Sequence, residues 1–159
     1  MKKIFLLVAL IATAFTQNGF AQHDHSAENT PDLLSTYYQL KDALVAGNAA
    51  LAASKATELS GAVKAADEKV IGKAAKEPFL KHISAIAETK NLKSQREHFA
   101  PVSDGLIAAA KSAKLSAAPV YRMYCPMKKS SWLSSEKTVK NPYYGSAMLG
   151  CGEVAETIK

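Results

Sequence analysis

Cysteine is scarce in this chain: Cys125 and Cys151 are the only two among 159 residues, so at most one intramolecular disulfide can form. Long apolar runs are equally scarce. The one near the start, Ile4 to Phe15, falls short of the roughly 20 residues a membrane-spanning helix needs, and nothing further along is long and uncharged enough to supply a span. Catalytic signatures are missing too. The sequence has no phosphate-binding loop, no zinc-protease helix motif and no Ser-His-acid arrangement in a recognisable context, and its carboxylates are too scattered to nominate an acid-base pair. Pairing Cys125 with His82 or His98 as a nucleophile has no local support. A nonenzymatic protein is therefore expected. Basic residues form no stripe and do not cluster with aromatic ones. Lysines are spread along the helical region at roughly regular intervals with acidic residues among them, which describes a solvated helix surface and argues against a nucleic-acid partner.

What is present begins with an export signal. Met1-Lys2-Lys3 precedes the apolar run, and Thr16-Gln17-Asn18 and then Gly19-Phe20-Ala21 follow it, a secretory signal peptide over residues 1–21 with cleavage expected after Ala21. Ala12-Thr13-Ala14 is an earlier, weaker site. The mature protein is expected to be periplasmic or secreted, in an oxidising space where disulfides persist. Losing Lys2 and Lys3 takes the formal charge from +6 to 6 − 2 = +4, so part of the basic balance belongs to the signal.

Residues 22–29 are polar and aperiodic and read as a flexible tail. A bundle of four helices is expected over residues 30–114. Thr30 and Pro31 look like the start of the first, with Leu33, Tyr37, Leu40 and Leu44 as its apolar stripe and Gly47 as its end. The second runs from Asn48 to Lys73, with Leu51, Leu59, Val63, Ala66 and Val70 at helical spacing. Glu77-Pro78 opens the third, where Phe79, Ile83 and Ile86 share a face. The fourth carries Leu92, Phe99, Ser103, Leu106 and Ala110, and Pro101 should kink or split it near His98. Short connections make consecutive helices antiparallel neighbours. Beyond Lys114 the composition turns rich in proline and glycine. Residues 115–159 are expected to form a short irregular lobe, extended over Val120 to Tyr124 and turn-like over Met148 to Cys151. The expected fold is thus all-α: an antiparallel up-down four-helix bundle with that lobe docked on it, one domain over residues 30–159.

The lobe carries the chemistry. Pro126 restricts Cys125 to extended conformations, and in an extended segment residues two apart point the same way, so Met123, Cys125 and Met127 would line one face. Met148 and Cys151 are three apart and share a side if that segment takes a helical turn. If the two segments met, two thiols and two thioethers would converge, a donor set that selects Cu(I) over hard cations. The alternative is equally open. Two cysteines in an exported chain commonly pair, and this bridge would contribute about 3 to 4 kcal/mol in the chain-entropy model. Thiol-disulfide exchange would also let one site be oxidised when empty and reduced when loaded.

The run Tyr124-Cys125-Pro126-Met127, then Trp132-Leu133-Ser134, Asn141-Pro142-Tyr143-Tyr144-Gly145, Met148-Leu149 and Cys151-Gly152, resembles the C-terminal signature of domain-of-unknown-function family 3347. These are secreted helical domains found alone or fused to heavy-metal efflux adaptors. The resemblance extends over the helical part, including Tyr37-Tyr38 and Leu40-Lys41-Asp42-Ala43-Leu44. It implies metal handling in the envelope, with a heavy-metal efflux adaptor or another envelope protein as partner. Tyr-Cys-Pro-Met is also similar to a short motif of copper and silver efflux proteins in which histidine commonly comes next. Lys128 stands at that position here, which removes one ligand.

Histidines offer replacements. His23 and His25 lie in the tail. His82 and His98 flank the turn near Asn91 at comparable distances, each beside a core position, so a helical hairpin would set them at similar height. Either would restore the missing ligand if it reached the sulfur cluster.

Two functions from different classes follow. The first is a soft-metal protein for capture, handover or efflux, binding Cu(I) ahead of zinc or silver through Cys125, Met127, Met148 and Cys151, with Met123 as a fifth donor. The second is a non-metal envelope interaction module whose lobe is stapled by a Cys125–Cys151 disulfide and docks through exposed tyrosines and Trp132.

Overall fold

The computed structural model describes residues 32–159. The expected signal segment, the tail with His23 and His25, and the Thr30-Pro31 helix start lie outside the described residues. Helix α1 spans Leu33–Val45 and is capped by Asp32, whose carboxylate accepts the Leu34 and Ser35 N–H groups at 3.3 and 3.2 Å. It ends as its sequence suggests. Gly47 takes φ +71°, which lets the Asn48 N–H reach back to the Ala43 carbonyl at 2.9 Å.

Helix α2 (Ala49–Ala65) is capped by Asn48, which accepts the Leu51 N–H at 3.0 Å. It stops eight residues before Lys73, where the apolar spacing had placed its end. Asp67 is the cause: its side chain accepts the Lys69 N–H at 2.7 Å and its carbonyl accepts Val70 and Ile71, a local turn that competes with helix continuation. Helix α3 (Lys73–Ala87) begins four residues earlier than Glu77 and takes Pro78 into its second turn. Helix α4 (Leu92–Ser112) is capped by Asn91 and runs unbroken through Pro101. No split occurs near His98. The helical bond that Pro101 cannot donate belongs to the carbonyl of Glu97, an exposed residue, where water can replace it.

The all-α expectation is wrong. After α4 the chain forms a three-stranded antiparallel sheet, β1 (Val120–Cys125), β2 (Ser130–Ser134) and β3 (Glu153–Ile158), in the order β2-β1-β3. A 3-10 turn at Gly145–Met148 lies between β2 and β3. Tyr121 pairs with Ser134 and Cys125 with Ser130 across the β1–β2 hairpin, while Tyr124 pairs with Glu153 on the other side. A register shift interrupts the β1–β3 ladder between Arg122 and Met123. Four helices with a C-terminal lobe is the part of the expectation that stands.

Sheet and helices share one core, joined by aromatic side chains. Tyr37 of α1 stacks on Phe99 of α4 with ring centroids 5.3 Å apart. Its hydroxyl lies 2.7 Å from the Ser103 hydroxyl and accepts the Leu133 N–H of β2 at 3.1 Å. One phenol thus ties two helices to the sheet. Tyr143 continues the seam, edge-on to Trp132 at 5.9 Å and donating its hydroxyl to the Ser131 carbonyl at 2.6 Å. Trp132, named for a docking surface, is buried in this seam together with Tyr143, whereas Tyr121, Tyr124 and Tyr144 are half-exposed. Among the described residues no helix is long and apolar enough to cross a membrane.

Candidate metal centre

Cys125 closes strand β1, and Cys151 sits just before β3, the strand hydrogen-bonded to β1. The two segments that sequence reasoning wanted together do meet. The sulfurs lie 3.2 Å apart, both as free thiols, Cys125 buried and Cys151 half-buried. Local sequence explains each approach. Pro126 ends the strand after an extended Cys125, and the Lys129 N–H closes the hairpin turn on the Cys125 carbonyl at 2.8 Å, with Lys129 at φ +55°. On the other side the Cys151 N–H bonds the Met148 carbonyl at 3.1 Å, the expected turn-like step. Gly152 then takes φ +144°. A Cβ there would stand 2.8 Å from the Trp132 ring and 2.9 Å from the Tyr124 carbonyl, so only glycine lets β3 leave Cys151 this close to β1.

The thiols differ in acidity. Burial pushes Cys125 up, but hydrogen bonds from the Lys128 N–H at 3.4 Å, the Cys151 thiol, the Asn141 amide and the Met127 N–H together outweigh it and leave Cys125 below its ordinary value. Cys151 is held above its ordinary value, first by donating to Cys125 and then by burial. Of the two thiols, Cys125 is the one whose surroundings favour the thiolate, the form of cysteine that binds metal.

Asn141 is the residue that sequence reasoning missed. It is fully buried, donates its side-chain amide to the Cys151 carbonyl at 2.6 Å, and accepts the Tyr143 and Tyr144 N–H groups at 2.8 and 3.3 Å. It stands in the Asn-Pro-Tyr-Tyr-Gly run, a turn signal that says nothing of what the amide would hold.

The methionines divide. Met123 lies on the inward face with Cys125 but is fully buried in the core, opposite Trp132, so it fills the hydrophobic interior. Met127 does not continue that face: the strand ends at Cys125, and Met127 sits in the turn, 65% exposed. Met148, in the 3-10 turn, is 37% exposed. Both are exposed, and each lies within three residues of a thiol along the chain. Lys128 contributes its backbone N–H to Cys125, while its side chain lines an open cavity of about 440 Å³ with Arg96, Glu97 and Tyr144.

His82 and His98 meet each other and not the thiols. Their Nδ1 atoms lie 3.2 Å apart across α3 and α4. Among the described residues no three of His, Cys, Asp and Glu converge where a metal ion would sit, so neither imidazole replaces the histidine absent at Lys128. Burial, then the charges of His98 and Lys81, push His82 below the usual imidazole value.

Fold and site together define a helical domain that closes on a small antiparallel sheet with a dithiol at the end of its central strand. The chain belongs to the family described as protein of unknown function (DUF3347), whose model matches residues 33–118. That match takes in the four helices and ends just before β1, so both cysteines lie beyond it. No curated protein and no solved structure matches the chain.

Proposed function

We propose that this protein binds a soft metal ion, Cu(I) ahead of silver or zinc, in the cell envelope and passes it to a partner such as a heavy-metal efflux adaptor. The observation that carries the reading is the contact of two free thiols at 3.2 Å, one of them half-exposed. Thiolates prefer soft ions, and backbone N–H groups that stabilise the Cys125 thiolate make it a ready first ligand. Met127 and Met148 are exposed where methionine is usually buried, which suits thioethers that swing on and off an ion. Cys125 and Cys151 retain the ion, and the thioethers exchange with the partner's ligands. The export signal in the sequence supports an envelope location.

Oxidation is the natural competitor. Sulfurs at 3.2 Å need only a small approach to reach the roughly 2.05 Å of a disulfide, so the empty site is a redox couple in an oxidising compartment. The docking-module reading loses Trp132, which lies inside the core, and keeps only the half-exposed Tyr121, Tyr124 and Tyr144.

Thiol counting by intact mass, followed by anaerobic Cu(I) titration before and after mild reduction, tests the proposal. One equivalent of Cu(I) taken up by the reduced protein, and lost in Cys125→Ser, Cys151→Ser, is expected. No uptake in either state would overturn it.

A further inference from the structure

We propose that His82 and His98 form a second metal site, separate from the dithiol, that takes a divalent ion of the Zn²⁺ or Cu²⁺ type between α3 and α4. The site stands whether or not the thiols bind copper. Its basis is geometric. The rings face each other through the same nitrogen, Nδ1 to Nδ1 at 3.2 Å, with centroids 5.5 Å apart and planes inclined by 41°. An ion at the usual metal–nitrogen distance of about 2.0–2.1 Å would span that gap with an N–metal–N angle of about 100–106°, close to tetrahedral. The nitrogens meet head-on, so each ring must turn by roughly 35–40° to bring its lone pair onto the ion, with the protons on Nε2.

The pair is carried by two packed helices. His82 precedes Ile83 and His98 precedes Phe99, both fully buried, so each ring sits at the margin of the core. Gly105 lets the helices pass closely: a Cβ there would lie 3.2 Å from the Phe79 ring. Ligands on two packed helices are held better than ligands on loops. Among the described residues neither ring has another hydrogen-bond partner, so the pair serves no other polar contact of the fold.

The site is also accessible. Both imidazoles are half-buried, and His82 borders an open depression along α3 with Glu77, Lys81 and Ser84. Two protein ligands leave the remaining positions to water or to an incoming group, so the ion exchanges readily. Imidazole suits zinc and copper(II), whereas the dithiol suits copper(I). The two sites would therefore sort ions by softness.

Cu²⁺ and Zn²⁺ titrations of the full chain test this, in a Cys125→Ser, Cys151→Ser background that prevents thiol oxidation and with His23→Ala, His25→Ala to remove the tail imidazoles. Electron paramagnetic resonance of the one-equivalent Cu²⁺ complex should show nitrogen couplings from two imidazoles. Either His82→Ala or His98→Ala should weaken binding at least about tenfold, the lower end of what loss of even an outer orienting contact costs a metal site. His82→Gln and His98→Gln should do the same while keeping a polar side chain, with far-UV circular dichroism confirming the fold. Binding that survives all four substitutions, or no uptake of either ion, would overturn the site.

Discussion

Asn141 holds Cys151 in place: its buried side-chain amide donates to the Cys151 carbonyl at 2.6 Å while its oxygen accepts two N–H groups from the turn that follows. This one side chain fixes the segment that brings the second thiol to Cys125. An Asn141→Leu substitution leaves the Cys151 carbonyl and two amides without partners. It should destabilise the protein by about 1–3 kcal/mol, read as a lower urea midpoint. It should also weaken Cu(I) binding about 10–100-fold, as loss of an orienting contact does in metal sites. Unchanged copper affinity in a folded variant would contradict the positioning role.

Gly152 sets the other limit on the site. Gly152→Ala places a methyl group 2.8 Å from Trp132 at φ +144°, where a side chain is strained in any case. Thermal and urea unfolding should show a loss of about 1–3 kcal/mol, typical of overpacking. Copper binding should fall with it, since the strand must shift where Cys151 meets Cys125.

Tyr37 tests whether helices and sheet are one unit. Tyr37→Phe keeps the stacking on Phe99 but removes the group that accepts the buried Leu133 N–H. A cost of about 1–3 kcal/mol is expected, with a single unfolding transition in both proteins. Two separate transitions in the wild type would mean that the lobe and the helices unfold independently.

Acid should act on the far side of the sheet. Lys111 at 2.7 Å and then Arg122 at 2.9 Å hold the Glu156 carboxyl below its ordinary value. A carboxyl depressed in the folded state contributes stability above its unfolded pKa, and that contribution fades as pH falls towards the folded value. Wild type should therefore lose stability between about pH 5 and about pH 3 more steeply than Glu156→Gln, compared by urea midpoint. Equal slopes would contradict the assignment.

Helices were legible because their apolar stripes repeat at the helical period, and Asn48, Gly47 and Asn91 mark ends where they should. The sheet was not. In β2, Ser131 to Ser134 are buried at four consecutive positions, so no alternation survives in Ser-Ser-Trp-Leu-Ser. In β3 every side chain is exposed or half-exposed, so Glu-Val-Ala-Glu-Thr-Ile carries no buried face to read. The local form of each cysteine segment was legible, since proline forces Cys125 to be extended and a turn carries Met148 into Cys151, but their meeting at 3.2 Å depends on β3 pairing with β1, a long-range contact. The fate of the methionines depended on where β1 stops, a tertiary outcome that placed Met123 in the core and Met127 in solvent. The meeting of His82 with His98 followed from their placement about the α3–α4 turn, whereas their separation from the sulfurs is a tertiary outcome that no local pattern carries.

The central claim is that Cys125 and Cys151 together hold a soft ion. Copper K-edge X-ray absorption on the anaerobically loaded, reduced protein tests it most directly. A first shell of sulfur that disappears in Cys125→Ser, Cys151→Ser is the expected result. A nitrogen and oxygen shell in the wild type, or a sulfur shell that persists in the double variant, would contradict it.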